Sequence, residues 1–397
     1  SSVATAARNN AGGSNLMPDI TARYVALATD ASRLAGTWSF VADATGRRRM
    51  LQRKLGHARK GGYGCSSVWL RYPGRIDINE LAPATAESWF GRVEGDRFLS
   101  TNHLMGDGYW VWLIPLSSGN TSVGIVARED LQPFETYRTR DRAEEWLRRN
   151  EPRLAAYLEG REPLDFLCMR DYAYASRRVF SEDRWSCVGE AGVFADPFYS
   201  PGTDFIGYSN CITVELIRAD REGRLSEALA DRYNAFFLAL AHWITRNIQR
   251  GYGIMGRPTA MMAKIAWDTC AAWGLLAPQM FNGIFRDPAR WDRYRKSNTA
   301  AFEIGLVMQD FFEEWGKRAP GRVSVDFLDY LQVPLMYDLH VRNLRSGRTD
   351  AEILADQAVN AERFEELALA QFLVAVEDVL PEHFHRFSPD GWYNAWA

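Results

Sequence analysis

The stretch CVGEAGVFADPFYSPGTDFIGYSN, residues 187–210, decides how the chain is read. It begins inside "WSCVGE" at 185–190, a short apolar run that reads as a buried strand. Gly189 leaves the backbone bare enough for a ligand to approach closely. The Glu190 carboxylate can accept hydrogen bonds from hydroxyl groups. Asp196-Pro197 and Pro201-Gly202 predict a tight loop, and Thr203 and Asp204 open a helical run. A helix start presents unpaired N–H groups and partial positive charge, which suits an electron-rich ring carbonyl or a small anion. The same residues also fit a plain strand–turn–helix connection with no ligand.

Outward from this stretch, composition bounds the protein. The 397 residues allow two domains or one large interleaved domain. Apolar residues make up 47% and are dispersed, which indicates a globular chain. The net charge of −3 offers no footprint for nucleic acid. Five scattered cysteines form no CxxC or Cys/His cluster, which argues against zinc and for a reducing cytoplasm. The longest apolar run, 235–244, is too short to span a bilayer, so no membrane span is expected. The polar opening, SSVATAARNNAGGSN, is expected to be flexible.

Periodicity predicts an α/β chain. "TARYVALAT" and "TWSFVAD", within 21–43, read as strands, and "RRRMLQRKLG" as a short basic helix. Alternating aromatic and β-branched segments, "SSVWLRY", "SWFGRVEG", "YWVWLIPL" and "TSVGIVA", predict an antiparallel sheet over 62–127. Residues 137–159 read as a surface helix. From about 204 onward, apolar residues recur at helical spacing.

Three motifs then occur in order. Asp43-Ala44-Thr45-Gly46-Arg47 follows a strand and precedes a helix; Trp110-Val111-Trp112-Leu113-Ile114-Pro115 spells WxWxIP; and GEAGVFADPFYSPG runs from 189 to 202. Together they resemble the "DASGR", WxWxIP and Gly-Asp motifs of the flavin-dependent halogenases and related FAD-dependent aromatic monooxygenases, over roughly 20–215. By themselves, Trp110 and Trp112 share one face of a strand and could be ordinary core.

The resemblance implies a partial FAD-binding layer of the p-hydroxybenzoate hydroxylase (PHBH-like) type, with an antiparallel substrate sheet and a mostly helical C-terminal region. The implied domains are 1–60 and 136–215 for the FAD layer, 61–135 for the substrate sheet and 216–397 for the helical region. It implies FAD, a separate flavin reductase and an aromatic or polyketide-like substrate, free or carrier-bound. In such enzymes reduced flavin and dioxygen oxidise halide, and a lysine presents the hypohalous acid to the aromatic ring. Asp43, Gly46, Gly189, Glu190, Asp196, Pro197, Gly202, Thr203 and Asp204 would line the cofactor. Trp110, Trp112, Ile114 and Pro115 would line the substrate or its tunnel, and Pro201 with Gly202 would sit at the halide.

The chain also departs from the family. It contains no GxGxxG, and only 42 residues precede Asp43. Lys54 and Lys60 do not match the place of the family's lysine, so no catalytic residue is assigned. Glu190 stands for Asp, and Tyr199 for a residue that is acidic in tryptophan-type enzymes. Pro201, where the family has Ser or Thr, removes a backbone donor. These departures keep two alternatives open: a non-halogenating flavin monooxygenase or dehydrogenase, and a truncated or degenerate binding protein. The six histidines, including the His383/His385 pair, lack the companions of a metal site.

Overall fold

In a computed structural model, the described residues are 5–8, 38–61, 64–83, 87–92, 95–319, 328–329 and 332–382. Their strands are β1 (Thr5–Arg8), β2 (Trp38–Asp43), β3 (Ala58–Lys60), β4 (Cys65–Tyr72), β5 (Asn102–Gly106), β6 (Tyr109–Pro115), β7 (Thr121–Arg128), β8 (Asp165–Met169), β9 (Tyr174–Ser176), β10 (Phe180–Ser181) and β11 (Trp185–Cys187). The fold is mixed α/β and divides into two units. One holds residues 1–63 and 172–248, the other 64–171 and 249–397.

The first unit is built on a sheet of order β1-β2-β11-β10. Its centre is the parallel pair β2/β11, in register from Val41↔Trp185 to Asp43↔Cys187. Residues on both strands are buried, as a parallel pair covered on its faces requires. The helix Pro201–Arg221 turns Phe205, Tyr208, Ile212 and Leu216 inward, spaced three and four apart on one face. Thr213 Oγ1 bonds Ser186 Oγ of β11 at 2.9 Å. A two-stranded ladder, β3/β9, completes the unit's strands.

The second unit carries an antiparallel sheet of order β5-β6-β7-β4-β8. Alternation gives it two different faces. Val68, Leu70, Val111, Leu113, Val123 and Ile125 face a core shared with Trp146, Leu147 and Leu154. Those last three come from the helices Arg140–Asn150 and Pro152–Leu158. The opposite face carries Trp69, Trp110, Trp112 and Gly124. The long helices Thr299–Arg318 and Asp350–Val379 follow, the latter started by a Thr349/Glu352 capping box.

Several expectations are corrected. The polar N-terminal tract contains β1, which pairs antiparallel with β2. "SWFGRVEG" contributes a helix, Glu87–Arg92, whose Trp89 indole donates to Asn79 Oδ1 at 2.9 Å and so is pinned locally. The 137–159 segment is two helices with buried faces, not a surface helix. The chain re-enters the first unit at Tyr172, after β8 has paired with β4. Residues 216–248 group with the first unit. The expected strand at 21–29 and the His383/His385 pair lie outside the described residues. Among the described residues, no helix is long and apolar enough to cross a membrane.

Candidate active site

In the first unit, most of the expected cofactor residues gather where the chain leaves the carboxyl ends of β2 and β11. Such ends of parallel strands, with their following loops, form ligand crevices in open α/β sheets. Asp43 is fully buried, and its carboxylate is committed to the chain itself. Oδ1 accepts from Thr45 N at 2.9 Å and Thr45 Oγ1 at 2.6 Å, and Oδ2 accepts from Leu51 N at 2.8 Å. It therefore shapes the loop and starts the helix Met50–Lys54. Gly46 sits at φ +57°, and the space where a Cβ would stand is open. The chain needs glycine there for its backbone.

The loop after β11 is held to the first. Val188 N donates to Asp43 O at 2.9 Å. Gly189 has φ +54°, and a Cβ there would meet Ile206 Cγ1 at 2.7 Å. Its N–H donates to the buried Ser209 Oγ at 2.9 Å. Glu190 O accepts from Tyr174 Oη at 2.6 Å, while its half-buried carboxylate has no hydrogen bond or ion pair among the described residues. Tyr174 is pushed up to about 12, mainly by burial, so it stays a neutral donor.

Asp196 is also an internal tie. Its carboxylate accepts from Tyr172 Oη at 2.5 Å and Phe198 N at 2.8 Å. Pro197 O accepts from Ser200 N at 2.9 Å, closing the turn. Tyr199 and Ser200 both adopt left-handed φ, at 64° and 56°. Non-glycine residues hold that conformation at a cost, and such costs gather at functional loops. Pro201 then takes the first helical position, where its missing N–H would have been unpaired in any helix. Thr203 N bonds Ser200 O at 3.3 Å, whereas the Gly202 N–H has no acceptor among the described residues. Gly202 has no positive φ, and nothing lies within 4 Å of its Cβ position. Thr203 and Asp204 are exposed on the same turn.

Trp110, Trp112, Ile114 and Pro115 lie on β6 of the second unit. Trp110 is buried, and its indole N–H donates to Tyr252 Oη at 2.9 Å. His103 packs edge-on against it, with ring centroids 4.7 Å apart. Burial pushes the His103 pKa down to about 4, so the ring is neutral near pH 7. Trp112 lies opposite Gly124, and a Cβ built on that glycine would come within 2.1 Å of the Trp112 ring. Its indole donates to Ser122 Oγ at 3.0 Å, and Trp69 flanks it at 6.3 Å. Ile114 and Pro115 end the strand half-exposed.

No family model matches the chain. It is 26% identical over 297 residues to the flavin-dependent halogenase chlA of Dictyostelium discoideum, a span of 70% of this chain and 46% of that protein. To the flavin-dependent halogenase ascD of Acremonium egyptiacum it is 27% identical over 210 residues, 50% of this chain and 35% of the relative. The chain resembles the flavin-dependent halogenases, the proteins it matches over half or more of its own length. A third relative is a 1H-pyrrole-2-carbonyl-[peptidyl-carrier protein] brominase of Pseudoalteromonas luteoviolacea, 34% identical over 99 residues, 24% of each chain. The fold is similar to that of halogenase PltM, solved with phloroglucinol and FAD, at TM-score 0.52 and 17% identity over 88% of this chain and 65% of that one. The chain spans less than half the length of each of these three halogenase relatives.

The motifs do not disclose every residue that builds these constellations. Tyr172, Tyr174, Ser209 and Tyr252 are long-range partners, and no local pattern marks them. Gly124 carried a usable signal: a lone glycine within "TSVGIVA" suggests close approach by a neighbour.

Proposed function

We propose that this chain is part of an FAD-dependent halogenase acting on an aromatic or polyketide-like small molecule. The observation that carries the reading is the joined pair of loops at the carboxyl ends of β2 and β11, in a chain whose curated relatives are flavin-dependent halogenases. The residues present suit a flavin nucleotide. Glu190 offers a carboxylate with no partner among the described residues for hydroxyl groups, Gly46 and Gly202 leave open backbone, and the Gly202 N–H lies at the helix start. FAD, when bound, supplies the oxidising power from dioxygen. This chain's own residues bind and orient it: Asp43 and Asp196 fix the loops, and Glu190, Gly189 and Gly202 meet the cofactor. Trp110 and Trp112 form a rigid apolar wall that excludes water from the substrate side.

The test supplies the protein with FAD, a separate flavin reductase, oxygen and bromide. Phenols and pyrroles are offered free and carrier-linked, since one relative is a brominase of a carrier-bound pyrrole. Mass spectrometry is expected to show the bromine isotope doublet. Oxygenated products without bromine, from protein that binds flavin, would overturn halogenation.

A further inference from the structure

The segment after β2 carries Arg47, Arg48, Arg49 and Arg53, and none of the four forms an ion pair among the described residues. Elsewhere in the same unit arginines find carboxylates: Arg178 pairs with Asp231, Arg184 with Asp220 and Arg224 with Glu222. The four uncompensated cations do not play one role. Arg49 is buried and spent on structure. Its guanidinium donates to Ala175 O at 2.5 Å and Arg59 O at 3.3 Å and stacks 4.1 Å over Tyr174.

Arg47 is different. Its guanidinium lies over two rings, 5.0 Å from the Phe194 centroid and 5.2 Å from that of Tyr174. It donates to no acceptor among the described residues, and its Nη1 is buried without a partner. Aromatic packing on this scale holds the planar group in place while leaving its donors unspent. A pre-positioned guanidinium loses little freedom when it takes a ligand, and its fork matches a phosphate edge. Exposed Arg48 and Arg53 add positive charge beside it, and Gly46 leaves the adjoining backbone open.

We propose that Arg47, backed by Arg48 and Arg53, receives the diphosphate of a nucleotide at the carboxyl end of the β2/β11 pair. The source this favours is the flavin nucleotide, so the inference rests on the flavin reading. Inorganic pyrophosphate, ADP, FAD and riboflavin are titrated by calorimetry against the wild-type chain, Arg47→Met, Arg47→Lys and the control Arg224→Met.

Wild type is expected to bind ADP and pyrophosphate, and FAD more tightly than riboflavin. Arg47→Met weakens the three phosphate-bearing ligands roughly ten- to a hundred-fold, as loss of a charge-assisted hydrogen bond implies. It leaves riboflavin unchanged, Arg47→Lys falls between, and Arg224→Met matches wild type. Folding of each variant is checked by circular dichroism, and Arg47→Lys keeps the test open if the methionine variant fails to fold.

Riboflavin binding without any diphosphate affinity, or equal affinities in wild type and Arg47→Met, overturns this inference and leaves the flavin reading standing. ADP and pyrophosphate binding that needs Arg47, with no binding of FAD or riboflavin, upholds the anion site and overturns its assignment to flavin.

Discussion

Trp110 donates its indole N–H to Tyr252 Oη at 2.9 Å, 142 residues away in sequence, and both side chains are buried. The first tryptophan of the WxWxIP strand is thereby fixed by the end of the helix Glu227–Tyr252. Tyr252→Phe keeps the volume and removes the acceptor. It is expected to cost about 1–3 kcal/mol, the penalty for stranding a buried donor. Urea denaturation measures the loss, and an unchanged midpoint would show that the bond does not hold Trp110.

Gly124→Ala tests the second tryptophan. The added methyl comes within 2.1 Å of the Trp112 ring, so the indole must leave its place opposite residue 124. Overpacking of this kind costs about 1–3 kcal/mol. Lower stability with a shifted tryptophan emission is expected. Wild-type emission and stability would show that the ring has room to move.

These two relationships also show what the sequence made legible. The strands around Asp43, Trp110 and Cys187 stood out because their apolar runs are bounded by turn residues. The loop order followed from three local motifs. The Tyr252 partner did not, since a hydrogen bond between distant positions leaves no mark in either neighbourhood. The left-handed Tyr199 and Ser200 were hidden for a related reason: the loop's own hydrogen bonds hold them there, without the glycine that would have announced the conformation. β8 and β5 were missed because "DFLCM" and "NHLMG" are short and lack clean alternation.

His103 predicts an acid limb in stability. Its pKa is about 4 in the folded chain, against an ordinary 6.5 when unfolded. Between those values the unfolded state binds the extra proton, so stability falls as pH drops from 6.5 to 4. The group's share is at most on the order of 3 kcal/mol. His103→Gln is expected to flatten that limb in denaturation curves taken from pH 7 to 4. A variant curve parallel to wild type would refute the assignment.

Glu151 acts in the opposite direction over a neighbouring range. Burial raises it to about 7 from an ordinary 4.5, although the Tyr109 hydroxyl at 3.0 Å partly offsets this. Its contribution is full below 4.5 and is lost as pH rises through 7. Glu151→Gln is neutral at every pH and is expected to gain stability over wild type at pH 8 but not at pH 4. An equal difference at both pH values would exclude titration of this carboxyl.

Gly189 and Gly202, the two glycines of the loops proposed to meet the flavin, should behave unlike each other. Gly189 combines φ +54° with Ile206 Cγ1 at 2.7 Å from the Cβ position, so Gly189→Ala meets both strain and a clash. A loss of about 1–3 kcal/mol is expected. Gly202 has helical backbone and open space, so Gly202→Ala is expected to keep or slightly raise stability, by up to about 1 kcal/mol. Any price of a side chain at 202 must then appear in the ligand. Gly202→Val is expected to fold as wild type does and to weaken FAD in a fluorescence titration, because its methyl groups occupy the approach to the helix start. Full flavin affinity in a folded Gly202→Val protein would remove this turn from the cofactor site, whereas an unfolded one would contradict the open space the structure shows.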